Sequence, residues 1–114
     1  MSIANMFGDL HSIDIIAETK NKEILLMLVC NGFIDGSPET QTALLDKMRG
    51  YLHYTQSKEF KEKYPDWPVI LRVTFTEVPD QLILQLLYKC YDWTDDLGVS
   101  LEIEIDGKKV QLVQ

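Results

Sequence analysis

The sequence has little of what most chemistry-bearing sites require. It has two cysteines, Cys30 and Cys90. Both lie in apolar segments, where a free thiol commonly serves as a small buried hydrophobe, and two cysteines so far apart make no disulfide framework. A reducing cytosol opposes a bridge between them. The two histidines, His11 and His53, stand near no second ligand, so the four or so donors of a zinc site are missing and no metal is expected. Of the six glycines, only Gly32 and Gly36 flank a strand-to-helix turn. They match neither the dinucleotide fingerprint nor the P-loop, and no lysine follows them, so no cofactor is expected. No serine lies between glycines as in a nucleophile elbow. Cys90 and His53 make a thiol and base only if two helices bring them together, and nothing nearby lowers that thiol's pKa. The chain does not read as an enzyme.

Long hydrophobic runs are missing as well. Ile24 to Cys30 and Leu82 to Leu87 are far shorter than the ~20 residues that span a bilayer. Met1 to Leu10 lacks the basic start and apolar stretch of a secretory signal. A cytoplasmic protein with no membrane partner is expected. At 114 residues, 46% hydrophobic and 25% charged, the chain fits one globular domain over 1–114, with residues 1–11 as a flexible lead-in.

The apolar periodicities define the elements. Ser12 to Thr19 alternates as a strand, Lys20 to Lys22 turns, and Glu23 to Cys30 is an unbroken apolar run that suits a strand covered on both faces. Ser37 and Pro38 form a helix start, followed by a stripe of Leu44, Met48, Tyr51, Leu52 and Thr55 that ends near Ser57. Ser57 to Tyr64 is a second short helix, closed by Pro65. Val69 to Phe75 alternates as a strand. Pro79 and Asp80 open a helix with Ile83, Leu86, Leu87, Cys90 and Tyr91 inward, stopped at Gly98. Val99 to Ile105, the Asp106-Gly107 turn and Val110 to Val113 form a terminal hairpin. The order β-β-α-β-α-β-β predicts an α+β two-layer sandwich, with two long helices on one face of a mostly antiparallel or mixed sheet.

Charge is distributed unevenly. The net charge is −7, and residues 77–106 carry all of it, with eight acids, Glu77, Asp80, Asp92, Asp95, Asp96, Glu102, Glu104 and Asp106, against Lys89 alone. Such a field repels nucleic acid and anionic membranes and attracts a cationic protein. Asp92, Asp95 and Asp96 crowd the end of a helix whose dipole there is already negative, beside an aromatic anchor, Trp93. They can serve as a binding hot spot, a carboxylate pair for acid–base work, or plain surface solvation. The lysines between Lys58 and Lys63 are nearly cancelled by Glu59 and Glu62 and make no nucleic-acid patch.

The run from Ser37 through Leu44, Met48, Tyr51 and Leu52 to Lys63, Tyr64 and Pro65, then the Val69 to Phe75 strand, Pro79, Gly98, Leu101 and Glu102, resembles a family of small bacterial proteins of unknown function. The resemblance covers roughly residues 13–105, implies a bacterial α+β domain and carries over no catalytic residue. In size and charge the chain is also similar to immunity proteins of contact-dependent and other polymorphic toxin systems. That similarity implies an inhibitor that covers a basic toxin, often a nuclease domain. The partner-binding residues expected on this reading are Glu77, Asp92, Trp93, Asp95, Asp96, Glu102, Glu104 and Asp106. The alternative is an adaptor or homodimeric module whose acidic face serves solubility.

Overall fold

Two β–α–β crossovers organise the chain. The computed structural model describes residues 3–110. Its elements are α1 (Ile3–Phe7), β1 (Ile15–Glu18), β2 (Ile24–Cys30), α2 (Pro38–Thr55), α3 (Lys58–Lys63), β3 (Val69–Phe75), α4 (Gln81–Asp96), β4 (Val99–Ile105) and β5 (Lys108–Val110). The strands lie side by side in sequence order. The central three are parallel, and β1 and β5 pair antiparallel at the edges. The sheet is therefore mixed.

Successive right-handed crossovers that step in one direction place both helices on the same face. Burial follows that rule: Ile24, Leu26, Leu28 and Cys30 of β2, Val69, Leu71, Val73 and Phe75 of β3, and Val99, Leu101 and Ile103 of β4 form the sheet's contribution to the core. From α2 come Leu44, Met48, Tyr51 and Leu52, and from α4 Ile83, Leu87 and Cys90. Each large side chain taken fully from water stabilises the fold by about 1.5–3 kcal/mol.

The helix starts follow from local hydrogen bonding. Ser37 Oγ accepts from Thr40 N at 3.2 Å, and Pro38 fills the first helical position of α2. Ser57 Oγ accepts from Phe60 N at 3.1 Å to start α3. Asp80 Oδ1 accepts from Leu82 N at 2.9 Å to start α4. Gly98, with φ of 76°, closes α4 in the left-handed conformation expected of it.

Four details differ from the sequence reading. The lead-in forms α1 and sinks Met6 and Phe7 into the core, pinned by Asn31 N donating to Met6 O at 2.8 Å. A helix this short has no periodicity to read, and tertiary contacts hold it. Among the described residues β2 is covered on one face only, because both crossovers lie on the same side; Leu25, Met27 and Val29 are half-buried on the other. On α4, Thr94 is buried while Leu86 and Tyr91 are half-buried. The last strand begins at Lys108, and its expected continuation to Val113 lies outside the described residues.

Candidate functional site

The acidic segment does not gather on one surface. Glu102 and Glu104 project from the sheet face opposite the helices, since their register partners are Arg72 and Thr74. Arg72 Nε and Nη2 donate to Glu102 Oε1 at 3.0 and 2.9 Å, and Arg72 Nη1 lies 3.9 Å from Glu104 Oε2. Lys109 Nζ donates to Glu102 Oε2 at 3.3 Å. These carboxylates are already compensated within the chain.

Glu77 and Asp106 stand where β3 and β4 finish. Asp106, with φ of 51°, and Gly107, with φ of 78°, make the tight turn into β5, and Asp106 N donates to Phe75 O at 2.9 Å. Asp80 at this end is occupied as the α4 cap. Gly36 lies against it, so close that an added Cβ would meet Asp80 Oδ1 at 2.7 Å and Leu82 Cβ at 3.0 Å. Asp35 nearby accepts from Ser37 N at 2.9 Å and Thr40 Oγ1 at 2.8 Å. Bonds from Ser37 and then Thr40 hold its carboxyl below the ordinary value.

Asp92, Asp95 and Asp96 lie at the opposite end, because α4 runs back against the strands it connects. A seven-residue strand at ~3.3 Å per residue separates the two ends by roughly 23 Å. All three are exposed and make no ion pair among the described residues, and the last turn of α4 contains no basic residue. Trp93 between them is half-buried, its indole packed on the edge of the core. Gln56 Nε2, just past the end of α2, donates to Leu97 O at 2.9 Å, so the C-termini of both long helices sit together here. Each such terminus carries about half a negative charge, which adds to the three carboxylates.

The groups capable of chemistry are quiet. Burial pushes the Cys30 and Cys90 thiols up, away from the reactive thiolate. Burial, then the charge of Glu102, raises Tyr91. Among the described residues no cluster of three or more His, Cys, Asp or Glu stands ready to hold a metal ion. No described helix is long and apolar enough to cross a membrane. An open groove of about 430 Å³ between α1 and the first turns of α2 is lined by Ile3, Leu10, Pro38 and Ala43 with Glu39, Thr42 and Asp46.

Compared with known protein families, residues 1–107 match a family of unknown function, DUF6572. The chain belongs to that family. No curated protein and no solved structure matches it. DUF6572 membership spans α1 through the turn after β4, so it takes in the first helix that the apolar periodicities did not reveal. It assigns no role to any residue.

Sequence reasoning missed a buried polar cluster. Lys47 is fully buried, its ammonium donating to Phe7 O and, at 2.8 Å, to Asp14 Oδ1. Asp14 Oδ2 accepts from Val29 N at 2.9 Å, continuing the β1–β2 ladder with a side chain. Tyr51 Oη donates to Met27 O at 2.8 Å and accepts from Asp14 N at 2.8 Å. Lys47 falls three residues after Leu44 and four before Tyr51, within the apolar stripe of α2, and that position was the available signal. Among the described residues no buried side-chain N or O lacks a partner, and the cluster reads as a clasp of α1, β1, β2 and α2.

Proposed function

We propose that this chain is a protein-binding inhibitor of the immunity or antitoxin type, acting in the bacterial cytoplasm, that presents the C-terminal turn of α4 to a cationic toxin domain. The supporting observation is that Asp92, Asp95 and Asp96 stand exposed and, among the described residues, without ion pairs at a helix C-terminus, beside half-buried Trp93. Carboxylates there oppose the helix dipole at a cost of about 0.3–1 kcal/mol each. Their presence is accounted for if their charge is used outside the chain. A cationic partner would be steered by the long-range field and held by contact with the indole. Glu102 and Glu104 contribute less on this reading, because a partner must compete with Arg72 for them. Glu77 and Asp106 add to the field from the far end of the sheet.

Expressed in a test bacterium, the product of the gene adjacent to this one should arrest growth, and co-expression of this chain should restore it. The triple variant Asp92→Lys, Asp95→Lys, Asp96→Lys should fold, as judged by circular dichroism, yet fail to protect. A harmless neighbour, or full protection by the triple variant, removes this reading.

A further inference from the structure

The sheet face turned away from α2 and α4 carries two unlike halves. Ile15, Ala17, Leu25, Met27, Val29 and Ile70 adjoin one another across β1, β2 and β3, with Ile15 opposite Met27, Ala17 opposite Leu25, and Leu25 opposite Ile70. None of them belongs to the core, and Ile15 is 43% exposed. Beyond them the same face becomes the ion-pair ladder in which Arg72 and Lys109 balance Glu102 and Glu104. A contiguous apolar strip of this kind marks a contact surface.

We infer that this face is where a second copy of the chain docks, sheet against sheet. Electrostatics selects that occupant. Two chains of charge −7 repel one another, so a twofold contact that sets a surface on its own copy is favoured where that surface carries no net charge. The apolar half carries no charged side chain, and the charges of the ladder cancel. A strongly cationic partner gains nothing from such a face. A twofold axis lying between the sheets and running across the strands sets each apolar half on its own copy, with the sheets ~10 Å apart.

The area bounds the affinity. Strands of four, seven, seven, seven and three residues, at ~3.3 Å rise and ~4.8 Å spacing, give a flat footprint of roughly 450 Å² per copy. Two copies bury about 900 Å², near the ~1,000 Å² lower edge of specific interfaces, which fits a weak, concentration-dependent dimer. The inference is independent of the proposed function, since the α4 end lies on the helical layer and stays accessible in the dimer.

Sedimentation of the full chain from ~1 to ~200 μM should show the average mass rising from 13.2 kDa toward twice that value. Met27→Lys and, separately, Ile15→Lys should weaken association at least about tenfold by placing a charge against an apolar surface. Ile15 is exposed at the sheet edge, so its variant decides the matter if Met27→Lys does not fold. Leu82→Lys, at an exposed position on the α4 side, should leave association unchanged. A wild-type monomer at the highest concentration, undiminished association of a folded Ile15→Lys chain, or loss of association in Leu82→Lys each overturns the inference.

Discussion

The Lys47 ammonium lies 2.8 Å from Asp14 Oδ1, with the lysine side chain wholly buried and the aspartate about one-fifth exposed. The pair joins the middle of α2 to the residue that precedes β1. Because Asp14 also accepts from Val29 N, one carboxylate both neutralises the buried cation and extends the sheet.

Removing one partner of a buried pair leaves the other charged and poorly solvated, at a cost of about 3–5 kcal/mol for full burial. Asp14 retains some solvent, so Lys47→Met should cost about 3 kcal/mol in urea unfolding. Adding Asp14→Asn should recover part of the loss, since asparagine carries no charge and still accepts from Val29 N. Strictly additive losses would show that the two residues are not coupled.

Stability should decline in alkali. Burial raises the Tyr51 phenol above its ordinary value of 10.0 and the Cys30 thiol above 9.0. The folded chain therefore keeps protons that the unfolded chain releases. Their contribution is fully present below pH 9 and is lost as pH rises through 9 and 10 toward the folded-state values. Tyr51→Phe should cost about 1–2 kcal/mol at neutral pH, through the bonds lost at Met27 O and Asp14 N, and should flatten the decline above pH 10. Urea midpoints measured from pH 7 to 11 would check both effects.

At the end of α4, Asp95→Lys should raise stability, by about 0.5 kcal/mol, because a cation suits a helix C-terminus. The triple variant should gain more. Higher thermal midpoints together with lost protection would separate the proposed binding role from folding; unchanged or lower midpoints would show that the three carboxylates do not strain the helix.

Gly36→Ala should destabilise by about 1–3 kcal/mol, because the new methyl meets the carboxylate that caps α4. Combining it with Asp80→Ala should cost less than the two single losses together, and calorimetric midpoints of the three variants would show this.

Much of the fold was legible because period and capping are local properties. Ser37-Pro38, Ser57 and Asp80 started α2, α3 and α4 where their hydrogen bonds dictate, and Asp106-Gly107 turned the last hairpin. The clasp was less legible. A lysine within an apolar stripe is ordinarily expected to snorkel to water, and only the arrival of Phe7 O and Asp14 from distant parts of the chain makes its burial tolerable.

The acidic segment marks the same division. Its charge and the placement of Asp92, Asp95 and Asp96 at a helix C-terminus follow from residue order alone, since helix direction and dipole are local. Tertiary structure decided which carboxylates are already engaged. The parallel pairing of β3 and β4 sets Arg72 beside Glu102, and the return path of α4 carries the three aspartates to the end opposite Glu77 and Asp106. The unbroken apolar run of β2 could not show that one of its faces stays uncovered among the described residues, because that depends on the direction in which two separate crossovers step.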